Sequence, residues 1–182
     1  MFMESSQQVK QWYAMRATYG RNMVVRRRLD EWGVESFVPM RYRVVRRGRT
    51  VRRELEPVIR DLIFVRTTAE SVRCIKSKIE YLHYITRPEA GRNVPIVVPE
   101  EQMAQFVAVA ATCDEQLLYL DAEDIDFRAG ERVRIQGGPF DGCEGRFMRV
   151  AGARNRRVVV AVEGVIAVAM VTTSTAQLER LD

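Results

Sequence analysis

The stretch from Gly130 to Val150 constrains the fold of this 182-residue chain more than any other. Val133 and Ile135 alternate with Arg132, Arg134 and Gln136, the period of two expected where one face of a strand is buried. Gly138, Pro139, Phe140 and Gly142 follow, setting a proline of fixed φ between glycines that accept φ > 0. That combination specifies a tight turn. A second strand returns from Gly145. Further on, Arg157 to Val162 and Ile166 to Thr172 flank Glu163, Gly164 and Val165, another turn signal. Strands this short close into a small barrel, predicted with five strands over residues 127–182.

The front of the chain reads differently. Trp12 to Ala17 is a short buried strand, and after Tyr19 and Gly20 comes a helix with Met23, Val24, Leu29 and Trp32 on its apolar side and Gly33 as its stop. Glu35 to Val45 is a second strand, with Pro39 arguing for an edge or a bulge. A basic turn centred on Gly48 is the tip of a hairpin, and Leu62 to Val65 returns as a central strand. A helix from Glu70 to Ile79 has Thr68 or Ser71 available as N-cap. Tyr81 to Ile85 is a further strand, Val94 to Pro99 is extended, and a helix runs from Glu100 to about Ala111. The order β-α-β-β-α-β-α implies an open antiparallel sheet carrying helices, of the split βαβ kind. The class is α+β. The predicted domains are 9–113, an acidic linker at 114–126, and 127–182. Leu117 to Leu120 should pack, because a plain linker would not hold four consecutive apolar residues.

Charge is placed unevenly. Arg21, Arg26, Arg27, Arg28, Arg41, Arg43, Arg46, Arg47, Arg49, Arg52 and Arg53 crowd the first third, while residues 93–127 hold no basic residue. A basic front suits a polyanion, because arginine displaces the counterions of phosphates; a solvated arginine-rich surface is the alternative. No run approaches the ~20 apolar residues needed to span a membrane. The start has neither a basic nor an apolar leader segment, so a cytoplasmic protein is expected. Cys74, Cys113 and Cys143 are far apart and form no metal-binding spacing, which fits a reducing compartment. His83 is the sole histidine, and no phosphate-binding glycine motif is present. An enzyme, a metal or a cofactor is therefore not expected.

Two modules in this order resemble the NusG family of transcription elongation factors, with an N-terminal NGN domain and a C-terminal KOW domain. The resemblance runs from about Val9 to Leu181. It rests on Trp12 and Tyr13 opening the first strand, Val38 to Met40, Glu56 to Val65, Ile96 to Pro99, and the Gly130 to Gly145 turn segment. Within the family the chain looks most like the specialised RfaH-type and UpxY-type paralogues. It departs from their usual pattern at Ile59, Arg60 and Asp61.

The resemblance implies a non-catalytic factor that binds the clamp helices of the largest RNA polymerase subunit and suppresses pausing and termination. It further implies service on a polysaccharide (capsule) operon. The implied polymerase contacts are Trp12, Tyr13, Ile59, Leu62 and Phe64. Their alternative is sheet core, favoured for Trp12 and Phe64, whereas Tyr13, Ile59 and Leu62 favour the interface. Arg16, Tyr19 and Arg21 match positions that meet non-template or upstream DNA, with Arg46, Arg47 and Arg49 adding salt-dependent affinity. In the KOW domain the turn is Gly130, Gly138, Pro139, Phe140, Gly142 and Gly145, and the partner loop is Glu163, Gly164 and Val165. That loop lacks the family's aromatic and arginine, so binding of termination factor Rho is not expected. A small-subunit ribosomal protein is the other partner the family offers. A monomer is implied. The rival readings are a general elongation or termination factor of the same family, and a KOW-containing ribosome- or RNA-binding protein.

Overall fold

The computed structural model describes residues 9–121, 125–126, 128–151, 153–171 and 177–181. The first eight residues, residues 122–124 of the stretch read as a linker, Phe127 at the expected start of the second domain, and Thr172 at the expected end of a strand lie outside the described residues. The chain divides into two compact units, one of Met1–Val38 with Arg60–Glu100 and one of Pro39–Ile59 with Glu101–Asp182.

The first unit is a five-stranded antiparallel sheet. β1 (Gln11–Ala17) and β5 (Leu62–Thr67) lie at its centre, with β2 (Glu35–Phe37) on the far edge of β5. β6 (Leu82–Tyr84) and β9 (Val97–Val98) share the other side of β1. The predicted second strand is broken at Val38 and Pro39. A proline has no N–H for a ladder, so pairing stops there and resumes elsewhere as β3 (Met40–Arg47). An unforeseen hairpin, β7 (Thr86–Glu89) with β8 (Arg92–Pro95), turns on Ala90 and Gly91, both at positive φ. Alanine gives no signal for such a turn.

α1 (Asn22–Glu31) lies against β1, β2 and β5. It buries Asn22, Val25 and Leu29, whereas Met23, Val24 and Trp32, which were expected inward, are exposed. The buried face contains a polar residue because Asn22 Nδ2 donates to the Leu62 carbonyl at 3.1 Å, an anchor that hydropathy alone hides. The helix ends as expected at Gly33 (φ +66°): Val34 N–H donates to Leu29 and Gly33 N–H to Asp30, the paired closing bonds that need a left-handed residue. α2 (Ala69–Lys78) starts on Thr68, whose hydroxyl accepts from Ser71 N–H at 3.2 Å.

In the second unit β3 and β4 (Thr50–Pro57) pair only with each other. α3 (Glu100–Ala110) buries Met103, Phe106, Val109 and Ala110. The remaining strands form one antiparallel sheet of six, in the order β10 (Leu118–Asp121), β14 (Ile166–Met170), β13 (Arg157–Val162), β12 (Glu144–Met148), β11 (Glu131–Gln136) and β15 (Gln177–Arg180). Five strands were expected. The sixth is β10, from the apolar run in the acidic segment: Leu118 and Leu120 pack with Val150, Val159, Ala167 and Ala169. Burial of those leucines outweighs the polar composition around them. The strand-rich region is consistent with a KOW module, and the whole with an α+β chain of NGN-plus-KOW type.

Candidate functional site

Direct cross-strand partners share a sheet face, so the β1–β5 register sorts the candidate polymerase residues. Trp12, Ala14 and Arg16 stand opposite Arg66, Phe64 and Leu62, which places Trp12, Leu62 and Phe64 on one face together with Arg16. Tyr13 stands opposite Val65 and faces the other way. It meets Tyr84 with ring centroids 6.0 Å apart and donates its hydroxyl to Gln11 Oε1 at 3.3 Å. Burial of Tyr84 is the main reason its phenol is pushed above the ordinary range, with Tyr13 adding to it. Trp12 (6% exposed), Tyr13 (5%), Leu62 (2%) and Phe64 (0%) are all buried, so burial does not separate the four. Ile59, between β4 and β5, is half-buried.

The residues at the end of β1 form a distinct exposed cluster. Tyr19 is 86% exposed and sits at φ +63° within a short 3-10 turn, Thr18–Gly20. A tyrosine held in the left-handed region is strained and projects its ring. The Arg21 guanidinium lies 5.5 Å from the centroid of that ring and 4.7 Å from that of Tyr81. Tyr81 is fixed by its carbonyl, which accepts from Thr18 N–H at 3.0 Å. The result is an aromatic–guanidinium–aromatic group open to solvent. Arg16 pairs with Asp61 at 3.3 Å, and Arg60 packs its guanidinium against Gly20, 3.5 Å from where a Cβ would sit. Beside them an open cleft of about 400 Å³ is lined by Arg16, Thr18, His83, Tyr84, Ile85 and Thr86.

Tyr81, Arg60 and His83 were not among the predicted site residues. The signal for Arg60 was its departure from the family pattern. Tyr81 gave none, because its role comes from a turn bond across sixty residues of chain.

The β3–β4 ribbon has two unlike faces. Tyr42, Val44 and Arg46 pair with Leu55, Arg53 and Val51, so four large apolar side chains, 46–58% exposed, share one face with two arginines. On the other face Arg41 and Arg43 both reach Glu56, at 3.1 and 3.4 Å. Arg53 stacks over Tyr42 and pairs with Glu115. Charge is thus compensated near the base. Toward the tip, Arg46, Arg47, Arg49 and Arg52 make no ion pair among the described residues. Met40–Pro57 holds seven arginines against two glutamates, a surplus equal to the formal charge of +5 on the entire chain.

In the C-terminal sheet the turn glycines meet steric demands. Gly138 and Gly142 have positive φ, and the Gly137 N–H donates to Asp141 Oδ1 at 2.6 Å. A Cβ on Gly145 would stand 2.6 Å from the Val159 carbonyl oxygen, so the strands pass there only without a side chain. A Cβ on Gly130 would lie 2.9 Å from both Met148 Cβ and the Phe147 carbonyl oxygen. Pro139 lies in the same turn, Phe140 is buried, and Cys143 beside it has a thiol pushed upward by burial. Glu163, Gly164 (φ +75°) and Val165 close the β13–β14 hairpin, and the Glu163 N–H donates to Gln102 Oε1 of α3 at 3.3 Å.

Among the described residues no helix is long and apolar enough to cross a membrane. Residues 10–107 match the family model described as NusG, transcription termination factor nusG. No curated protein matches the chain.

Proposed function

The chain belongs to the NusG family of non-enzymatic transcription elongation and antitermination factors, which bind RNA polymerase, and from that premise we propose that it is a specialised antiterminator of the RfaH or UpxY type. In this reading residues 9–113 are the NGN domain, 114–126 a linker that includes β10, and 127–182 the KOW domain. The residues read as contacts for the polymerase clamp helices are Trp12, Tyr13, Leu62 and Phe64 of the first unit, with Ile59 a further candidate, in a helix-in-groove mode. Binding one clamp state over another is sufficient for the effect. A preference of ~2 kcal/mol lowers a pause-prone conformation roughly thirtyfold, with no covalent step.

The observation that carries the specialised reading is the exposed Tyr19–Arg21–Tyr81 group next to Arg16 and Arg60. Such a group stacks an unpaired base of the non-template strand, which charge alone does not do. Recruitment to one leader sequence follows from base contact, and the likeness to the specialised paralogues points to an operon for a surface polysaccharide. Arg46, Arg47 and Arg49 on the ribbon supply affinity for upstream DNA regardless of sequence. The Glu163–Val165 turn, lacking an aromatic and an arginine, disfavours Rho, a small-subunit ribosomal protein is the other partner the family offers, and the protein acts as a cytoplasmic monomer.

The test is transcription in vitro through a long, pause-rich template, with and without the cognate leader. The protein lengthens transcripts only when the leader is present, and Tyr19→Ala with Arg21→Ala abolishes that dependence. Shortened transcripts on every template would instead mark a general termination-promoting factor.

A further inference from the structure

From Gly145 to Val162 the chain carries five arginines and no acidic residue. Two of them are used internally. Arg146 donates to the Gly130 carbonyl at 3.0 Å, and Arg157 donates to that of Gln116 at 3.2 Å. The other three, Arg149, Arg154 and Arg156, are exposed and make no ion pair among the described residues. Glu131, at the start of β11, is already held by Arg180 at 3.2 Å.

Two of these three arginines line a cavity, and Arg154 lies two residues before Arg156 in the same exposed loop. An open cleft of about 470 Å³ is lined by Ala129, Gly130, Met148, Arg149 and Arg156. The Arg156 guanidinium lies over the half-buried Phe147 ring, 5.0 Å from its centroid. One guanidinium face is therefore backed by an aromatic ring and the other is presented outward. That geometry suits an unpaired base, which can complete a ring–guanidinium–base stack, while exposed cations beside it pair with phosphates. A duplex hides its base faces and cannot use it.

We propose that this cleft binds a single-stranded polynucleotide, with Arg149 and Arg154 on its phosphates and the Phe147-backed Arg156 on a base. The site is separate from the Glu163–Val165 turn. Strand β13 runs from Arg157 beside the cleft to Val162 beside the turn. Its length is about 20 Å. A protein on the turn and a strand in the cleft can thus be held together. The proposal does not depend on polymerase binding, so it stands or falls independently of the function assigned above.

The experiment uses the full chain carrying Arg46→Ala, Arg47→Ala and Arg49→Ala, which removes the ribbon's own phosphate contacts. Labelled oligo-rA, oligo-dA and a duplex of equal length are titrated by fluorescence anisotropy at 50 and 200 mM salt. Adding Arg149→Ala, Arg154→Ala and Arg156→Ala flattens the single-strand salt slope by about 1.4, from ~0.7 for each of the two lost phosphate contacts. Over that salt range the flattening corresponds to roughly a sevenfold difference. Arg156→Lys, which keeps charge but loses the plane, weakens single-strand binding at least fivefold, whereas Arg154→Lys changes it less than twofold. A preference for rA identifies a transcript as the ligand and a preference for dA a displaced DNA strand; both support the site. Unchanged single-strand binding in the triple variant, or an equal loss on duplex, overturns it. Should the triple variant melt early, the lysine pair decides: equal effects of the two exchanges overturn the proposal.

Discussion

Arginines on strand β11 and arginines at the tip of the β3–β4 ribbon are the same residue on the same kind of strand, put to opposite uses. On β11, Arg132 and Arg134 both reach Glu144, at 3.6 and 2.6 Å, and Arg134 also reaches Glu179 at 3.3 Å. The hydrogen bonds that Arg134 donates to Glu144 are the main reason its pKa is raised above the ordinary value. At the ribbon tip, Arg46, Arg47, Arg49 and Arg52 have no carboxylate among the described residues. Register explains the difference. β11 lies between β12 and β15, each of which supplies a glutamate opposite or diagonal to an arginine. The tip pairs arginine with valine or threonine. Compensated arginine holds strands together; uncompensated arginine waits for a polyanion.

The largest effect that can break this contrast is on DNA affinity. Replacing Arg46, Arg47, Arg49 and Arg52 by alanine flattens the salt dependence of duplex binding by about 3.6. Between 50 and 200 mM salt that is roughly a hundredfold difference from the unmodified protein, with thermal stability unchanged. Arg132→Ala with Arg134→Ala does the reverse, leaving duplex affinity within about twofold and lowering stability. Anisotropy titrations and urea melts on the same preparations check both. Equal affinity losses in the two variants would erase the distinction.

Glu144→Gln sharpens it from the acid side. One exchange strips two arginines of their shared carboxylate, whose side chain is only 23% exposed. The urea midpoint of the C-terminal sheet falls by about 0.5 M, while binding to duplex DNA rises. A variant that melts with the parent would mean these pairs contribute nothing.

Alkaline pH stresses the C-terminal sheet without touching either set of arginines. Tyr119, on β10, has a buried hydroxyl with no hydrogen-bond partner among the described residues, and its pKa is pushed up to about 12, chiefly by burial. In the unfolded chain it titrates near 10. The folded state therefore holds the proton more tightly, and this contribution is complete below pH ~10 and lost as pH rises toward ~12. With allowance for the partial exposure of the ring, the loss is about 1 kcal/mol. Tyr119→Phe removes that alkaline decline and leaves neutral-pH stability equal or slightly higher, as measured by denaturation at pH 7 and pH 11. An unchanged decline would assign it to another group.

Much of this was legible in the sequence, for physical reasons that differ by region. The ribbon with its tip at Gly48, the stop at Gly33 and the Gly138–Gly142 turn were readable because glycine and proline act locally through φ. Resemblance alone singled out Tyr19 and Arg21, whose side chains are exposed. What escaped depended on contacts distant in sequence. The inward face of α1 is set by Asn22 finding a carbonyl on β5, so the apolar pattern of Met23, Val24 and Trp32 misled. The sixth strand was hidden because its register with β14 is a property of the sheet. Tyr81 joins Arg21 only through the turn bond to Thr18.

The smallest effect separates charge from geometry. A lysine keeps the cation but not the planar fork that bridges two carboxylates. At the ribbon tip only charge is asked for, so Arg46→Lys with Arg47→Lys leaves the salt slope unchanged and duplex affinity within about twofold. On β11, Arg134 spans Glu144 and Glu179 through separate nitrogens, with Nε and Nη2 on Glu144 and Nη1 on Glu179. A single ammonium cannot serve both at these distances. Arg134→Lys therefore lowers the urea midpoint slightly, by about 0.2 M, and the shift shrinks in high salt. If lysine were tolerated equally at both places, the β11 arginines would be acting as point charges too, and the contrast would reduce to where the glutamates happen to lie.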